Sequence, residues 1–417
     1  MSKDRIVELK RPEEKSVDAL TEILKDGAQK LLAAAIEAEL KELLDKYKVL
    51  KTETCQQAVV RNGYLPKREI QTGLGEISVC LPKVRDRSGS GIKFNSMLVP
   101  PYLKRTKAME EFLPWLYLKG ISTGDFQDTL KSFLGQDSPG LSANTISRLK
   151  QVWEKEYHDW RKRNLAGKKY VYVWADGVYS NVRMDDRLCI LVIIGSDENG
   201  RKELIALSDG YRESEAAWSE ILTDLRERGL SESPKLAVGD GSLGFWKALR
   251  KHWPETKQQR CWVHKTANVL EKMPKGVQPR AKEAIHDIWM AETQKDAENA
   301  FDSFLKRFEP KYPGAAECLK KDRGTLLSFY DFPAEHWIHI RTTNPIESVF
   351  ATVRLRTDKI KNCGNRTTTL TMAFKLVENA QGRWRRLKGY SLLADVIAGV
   401  VFKDGNKVEA HLDQKAA

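Results

Sequence analysis

Apolar residues recur at helical spacing near the start of the chain. Leu20, Ile23, Leu24, Leu31, Leu32 and Ile36 predict a helix from about residue 16, opened by Ser16, to about residue 50. Ile70–Thr72 and Ile77–Leu81, with Gly73 and Gly75 between them, predict a β-hairpin. Its far end, Pro82 to Arg87, is basic, and Asp86 to Gly91 reads as a Gly/Ser-rich linker. Helical spacing returns from about 101 to 163. Within it Ser122-Thr-Gly-Asp125 has capping-box spacing ahead of Phe126, Leu130 and Phe133. Gly135 ends that helix, residues 136–140 turn, and Ser142 opens a second helix over Ala143–Lys150. A helix-turn-helix would turn Ser142, Asn144, Thr145, Arg148 and Lys150 toward DNA, whereas a plain helical hairpin would leave them in water.

From Tyr170 the period changes. Tyr170–Ala175, Leu188–Gly195 and Glu203–Leu207 are three β-type runs separated by polar turns at residues 180–187 and 196–200. A helix over Glu213–Arg228, ended by Gly229, follows. Then come a strand at Lys235–Val238, a helix at Phe245–His252 and a strand at Gln258–Val263. The order βββαβαβ is the ribonuclease-H-like arrangement. Residues 266–335, broken by Pro274, Pro279, Pro310 and Pro313, read as an all-α insertion. The last core helix would then start at Asn344 as N-cap, with Pro345 first and Ile346, Val349, Phe350 and Val353 inward.

The expected fold class is therefore multi-domain α/β. A ribonuclease-H-like mixed-sheet core with an all-α insertion is preceded by helical DNA-binding domains and a small β-hairpin. The expected segments are 1–100 (helical region and hairpin), 101–165 (helix-turn-helix-like), 166–265 with 336–365 (catalytic core), 266–335 (insertion) and 366–417 (basic C-terminal region). The end, from about Lys403, reads as a loose tail.

Composition narrows the partners. The 417 residues are 41% hydrophobic and 30% charged, an ordinary soluble balance, and the net charge is +13. Such a surplus favours a polyanion. Residues 351–390 hold ten Lys/Arg against two Asp/Glu, an excess of +8. Arg354, Arg356, Lys359 and Lys361 belong to it, with residues 367–369 and Trp384 interleaved. A charge run is a solvated face or a phosphate-binding surface, and this one is one-sided enough for the second. The longest apolar run, Leu188–Ile194, is too short to span a bilayer, and charge from Lys3 onward gives no signal peptide. Six scattered cysteines without a CxxC pair read as reduced thiols. A cytoplasmic, nucleoid-associated protein is expected.

Three carboxylates stand out by position. Asp176 is placed at the end of the first strand, Asp240 after the fourth, and Glu347 in the first turn of the last helix. Singly, each has a bland role: turn former, Asp-Gly turn, capping-box partner. Together they differ, because in this fold the first and fourth strands are neighbours and a helix packed nearby brings the third carboxylate. Three oxygen donors can hold two Mg²⁺ ions, with Mn²⁺ able to substitute, for an in-line phosphoryl displacement. Cys261-Trp-Val-His264 has the spacing of two zinc ligands but lacks a second pair, so a partly buried structural Cys and His is the stronger reading. His264 could also touch DNA phosphate or orient a water. Arg212-Glu213-Ser214-Glu215 offers rival acidic residues after the third strand, and reads first as charge favouring a helix N-terminus.

Six stretches, in order, carry a resemblance: Arg61-Asn-Gly-Tyr64, Gly120-Ile-Ser-Thr123, Ala175-Asp-Gly177, Val238-Gly-Asp-Gly241, Cys261-Trp-Val-His-Lys265 and Thr342-Thr-Asn-Pro-Ile-Glu347. The chain resembles the mutator-type transposases of bacterial insertion sequences. The resemblance implies a DDE transposase with Asp176, Asp240 and Glu347 as catalytic triad, and the family's Cys/His motif at Cys261 and His264. It also implies Mg²⁺, binding of terminal inverted repeats and target DNA, a dimer or larger complex on DNA, and a circular double-stranded intermediate. Gly124 stands where the family often has a charged residue, and Phe350 where many members have a polar one. A DNA-binding regulator without chemistry, and a ribonuclease-H-fold nuclease or resolvase, are the alternatives.

Overall fold

A computed structural model describes residues 19–118, 121, 129, 143–180, 188–210, 212–241, 243–359 and 366–408. The chain divides into two compact units, residues 1–149 and 150–417.

In the first unit a 28-residue helix, α1 (Ala19–Lys46), packs over a hairpin of β2 (Arg68–Thr72) and β3 (Gly75–Val79). Ile36, Ile70, Ile77, Val79 and Leu81 form the core there. The helical pattern is real, but of the stripe chosen from it only Leu32 and Ile36 meet the core. Leu20, Ile23, Leu24 and Leu31 are exposed, and burial falls on Ile36 and Leu40. The hairpin expected at 70–81 is present, with Leu81 just beyond it. The basic end beyond it is also a strand: β4 (Pro82–Asp86) pairs antiparallel with β1 (Val59–Tyr64). Arg61 and Tyr64 both bond to Glu37, tying β1 to α1. The Asp86–Gly91 stretch is ordered by the Asp86 carboxylate, which accepts from Ser88 and from the Ile92 amide. A helix α2 (Lys107–Leu118) follows. The first helix of the expected helix-turn-helix, residue 129 apart, lies outside the described residues, as does Ser142. The second is α3 (Ala143–Arg161), far longer than the eight residues expected.

The second unit is built on one five-stranded sheet of order β7-β6-β5-β8-β9. Its strands are β5 (Tyr170–Ser180), β6 (Leu188–Asp197), β7 (Lys202–Gly210), β8 (Leu236–Gly239) and β9 (Lys257–Arg260). β5–β6 and β6–β7 are antiparallel, while β5–β8 and β8–β9 are parallel. β6 is buried along nearly its whole length because both faces are covered, which is why Leu188 to Ile194 form an unbroken apolar run. One face carries α4 (Glu215–Glu227) and α5 (Leu243–His252), with Trp218, Leu222, Leu225, Phe245 and Leu249 in the core. After β9 come α6 (Trp262–Leu270), α7 (Gln278–Met290), α8 (Gln294–Phe308) and α9 (Pro313–Lys320), where the all-α insertion was expected. The other face carries α10 (Asn344–Lys359) and α11 (Arg366–Gln381).

Several boundaries move. β5 runs on to Ser180, so Asp176 lies inside a strand, opposite Val192, rather than at its end. Cys261 is the N-cap of α6, which begins directly after β9. The helix expected from Glu213 starts at Glu215, capped by Ser214, whose hydroxyl accepts from the Ala217 amide. The C-terminal region is less a surface than its charge suggests. Thr369, Leu370, Phe374 and Val377 of α11 are buried, and Lys375 is paired to Glu156 and Glu378. Residues 402–408 of the expected loose tail are held, since Phe402 is buried and the Gly405 amide donates to the Tyr330 carbonyl, and residues 409–417 lie outside the described residues.

Candidate active site

The register of the sheet brings the first two carboxylates together. Ala175 pairs with Gly239 across the parallel β5–β8 ladder, so Asp176 and Asp240 are the next residues along two adjacent strands. β8 stops at Gly239, and Asp240 begins the connection into α5. Asp176 continues β5, is 6% exposed, and accepts the Gly177 amide at 2.9 Å.

The third carboxylate arrives on α10. Ile346 and Glu347 donate their amides to the Thr343 carbonyl, so Thr343 is the residue that opens the helix, one position before the Asn344 expected. Instead of closing a box with Asn344, the Glu347 carboxylate lies 3.2 Å from the Thr343 hydroxyl. Ile346, Phe350 and Val353 are buried, which fixes the face that α10 turns to the sheet. Phe350 is 1% exposed: the departure at this position serves packing.

Cys261 and His264, one turn apart on α6, complete the cluster. His264 Nε2 is 3.9 Å from Glu347 Oε1. The imidazole is raised to about 9, first by its hydrogen bond to Cys261 and then by the negative charge of Cys261, Asp176 and Asp240, with burial opposing. Burial alone would raise the Cys261 thiol, but His264 outweighs it and the thiol is lowered. Asp176 is raised to about 7, mainly by burial, with Asp240 and Glu213 adding to it and His264 opposing. The site is thus a group of carboxylates around one protonated imidazole.

Glu213 is the residue that sequence reasoning placed elsewhere. A Cβ on Gly177 would lie 2.5 Å from its Oε1, and a Cβ on Gly244 would lie 2.4 Å from its carbonyl oxygen. Two glycines, one beside Asp176 and one on the helix after Asp240, therefore let the Glu213 turn approach this closely. The sequence signal was a glycine directly after Asp176.

Among the described residues, the one set of three metal-type donors within 4.8 Å of one another is Cys261, His264 and Glu347. The three carboxylates do not close to that spacing by themselves. Asp176, Asp240 and Glu347 still offer the oxygen donors that suit a hard cation, and a positive charge beside Asp176 would offset the smaller part of its shift, which comes from Asp240 and Glu213 rather than from burial.

The residues expected at DNA are partly placed. Asn144 and Thr145 are on the first turn of α3, Arg148 is exposed and Lys150 half-exposed. Arg354, Arg356 and Lys359 are on α10, with their side chains outside the description, and Lys361 lies outside the described residues. Cys55, Cys80, Cys189, Cys261 and Cys318 are free thiols. Among the described residues no helix is long and apolar enough to cross a membrane.

The family model for Mutator-family transposases matches residues 2–387. The chain belongs to the Mutator family of transposases. It is 49% identical over 306 residues to the transposase of insertion sequence element IS6120 from Mycolicibacterium smegmatis, covering 73% of this chain and 94% of that one. It is also 49% identical over 286 residues to the transposase of element IST2 from Acidithiobacillus ferrooxidans, covering 67% of this chain and 95% of that one. Among solved structures, a Drosophila P element transposase strand transfer complex aligns over 70% of this chain and 91% of that one, at 10% identity and a TM-score of only 0.22. This transposase thus joins enzymes that cut DNA, and its surplus of +13 suits that polyanion.

Proposed function

We propose that this transposase cleaves DNA strands at the ends of its insertion sequence and transfers them to target DNA, with Asp176, Asp240 and Glu347 as the carboxylates of a DDE site. One observation carries the reading: Asp176 and Asp240 are successive to a parallel pair, and α10, with Glu347 in its first turn, packs on that same strand. On this reading the five-stranded sheet is a ribonuclease-H-like core interrupted after β9 by the helices of residues 266–335.

Asp176, Asp240 and Glu347 would hold Mg²⁺, and Mn²⁺ could replace it. Bound there, the metal supplies a lowered pKa for the attacking water or 3′-hydroxyl and neutralises the leaving oxygen. The protein residues do the rest. The buried Asp176 and the sheet fix the direction of the carboxylates. His264, raised to about 9, stays protonated at neutral pH and offers a positive charge to Glu347 or to a DNA phosphate. The partners in this reading are the terminal inverted repeats and the target duplex, engaged by a homodimer or larger assembly that passes through a circular double-stranded intermediate. Arg148, Lys150 and the basic residues of α10 contribute phosphate contacts.

The test is a strand-cleavage and joining assay on labelled duplex carrying the terminal repeat that flanks the gene. Asp176→Asn, Asp240→Asn and Glu347→Gln are each expected to lower cleavage by about 10²-fold or more while end binding persists. Cleavage near the wild-type rate in any one of them removes that residue from the triad. Cut ends without joining would indicate a nuclease, and binding without cutting a regulator.

A further inference from the structure

The Cys-x-x-His pair looks like half of a metal site, and Glu347 adds a third donor. What occupies the space between them is a hydroxyl. Thr343 Oγ1 lies 3.3 Å from Cys261 Sγ, 3.4 Å from His264 Nδ1 and 3.2 Å from Glu347 Oε1. The three donors gather around this one atom of the chain. The Thr343 backbone amide also donates to Cys261 Sγ, at 3.3 Å. One residue away, the Trp262 amide donates to the Arg341 carbonyl. The start of α6 is thus strapped twice to the three residues that lead into α10.

Burial divides the four side chains into a back and a front. Cys261 and Thr343 have no exposed surface. His264 and Glu347 each keep about a third of their side-chain surface open, at 34%. A buried sulfur and hydroxyl therefore stand behind a solvent-facing imidazole and carboxylate. A hydroxyl with one proton and two lone pairs can accept from a protonated imidazole and donate to a carboxylate or a sulfur. A buried polar hub of this kind holds its partners because any partner lost leaves an unsatisfied group.

We propose that Thr343 is a positioning residue: its hydroxyl, anchored by Cys261 and flanked by His264, aims the Glu347 carboxylate at the end of the β5–β8 ladder, where Asp176 and Asp240 follow the last pair. The Cys-x-x-His pair is then a hydrogen-bonded clamp rather than a zinc site. The clamp rests on the reading of Glu347 as a catalytic carboxylate, and it explains why a thiol and an imidazole sit beside a carboxylate site that uses neither as nucleophile. The cost of loosening it is set by geometry, since an active-site group misplaced by about 1 Å loses on the order of 10²-fold in rate.

The experiment uses the full-length chain, purified without added metal and then assayed with Mg²⁺ on the terminal-repeat duplex. Thr343→Val keeps the shape and removes the hydroxyl, Thr343→Ser keeps the hydroxyl, and Cys261→Ala removes the anchor. Glu347→Gln is run beside them, and thermal unfolding confirms which variants are folded. Expected are a cleavage rate about 10- to 100-fold lower in Thr343→Val, end binding equal to wild type, and recovery to within about threefold in Thr343→Ser. Cys261→Ala should share the defect, and it carries the test if Thr343→Val does not fold. Wild-type cleavage in Thr343→Val with an inactive Glu347→Gln would overturn the clamp and leave the triad standing. Active Glu347→Gln would remove the carboxylate reading and the clamp with it. One equivalent of zinc in the purified protein, lost in Cys261→Ala, would overturn the clamp in favour of a metal site.

Discussion

Removing the charge of Asp176 should make the metal-free protein more stable while abolishing its activity. An aspartate ordinarily ionises near 3.8, and burial, reinforced by Asp240 and Glu213, carries Asp176 to about 7. Between those two values the folded chain holds a proton that the unfolded chain has released. Stability is therefore full below 3.8, falls as pH rises through the window, and stays low above it. Roughly three powers of ten in acid dissociation correspond to about 4 kcal/mol. Asn at 176 keeps the shape and the acceptor for the Gly177 amide. Its buried amide costs about 1–2 kcal/mol, which leaves a net gain of about 2–3 kcal/mol at pH 8. For a unit of this size that is a rise of about 4–10 °C in Tm. The assay is thermal unfolding of wild type and Asp176→Asn in EDTA at pH 8 and pH 4.5. The gain should be present at pH 8 and absent at pH 4.5. Equal shifts at the two pH values, or a lower Tm for the variant at pH 8, would refute the electrostatic account of the site.

Two further predictions concern the frame around the site. Asp322 faces two cations that are almost fully buried: Arg260, at 3.4 Å with 6% of its side chain exposed, and Lys265, with 3% exposed. Asp322→Ala leaves both without that charge and should destabilise the second unit by about 3–5 kcal/mol, read by denaturant unfolding. His339 is lowered from 6.5 to about 4, by burial first and then by the charges of Lys202, His336 and Lys388. Its stabilising neutral form is complete above 6.5 and is lost as pH falls toward 4. After allowance for its partial exposure, about 1–2 kcal/mol should disappear across that window. His339→Gln should flatten that part of the pH profile in a thermal scan.

Local chemistry decided which segments are strands and helices in the second unit. β6 reads as a strand because both its faces are covered, so Leu188 to Ile194 are all apolar. Asp240 reads as following the fourth strand because β8 does end at Gly239. The succession of three strands, helix, strand, helix, strand is present as the pattern predicts, since each element carries its own period and stop signals. Periodicity alone misplaced Asp176, because the apolar run pauses at Gly177 while the ladder with β6 continues to Ser180.

Only the tertiary structure decided what faces what. On α1 the apolar positions go more than halfway round the helix, so spacing could not say which stripe meets the hairpin. On α11 a basic surrounding sequence conceals a helix pressed on the sheet, because Lys375 is neutralised by Glu156, 219 residues away. Glu213 reads as a helix-terminal charge until Gly177 and Gly244 are seen to admit it beside Asp176. The Cys261–Thr343 contact joins residues 82 apart. The sequence by itself determined the elements and supplied the carboxylates, because helix and strand signals are local. The gathering of Asp176, Asp240, His264 and Glu347 depends on strand order and on the packing of α10, and those are set by long-range burial that no local pattern records.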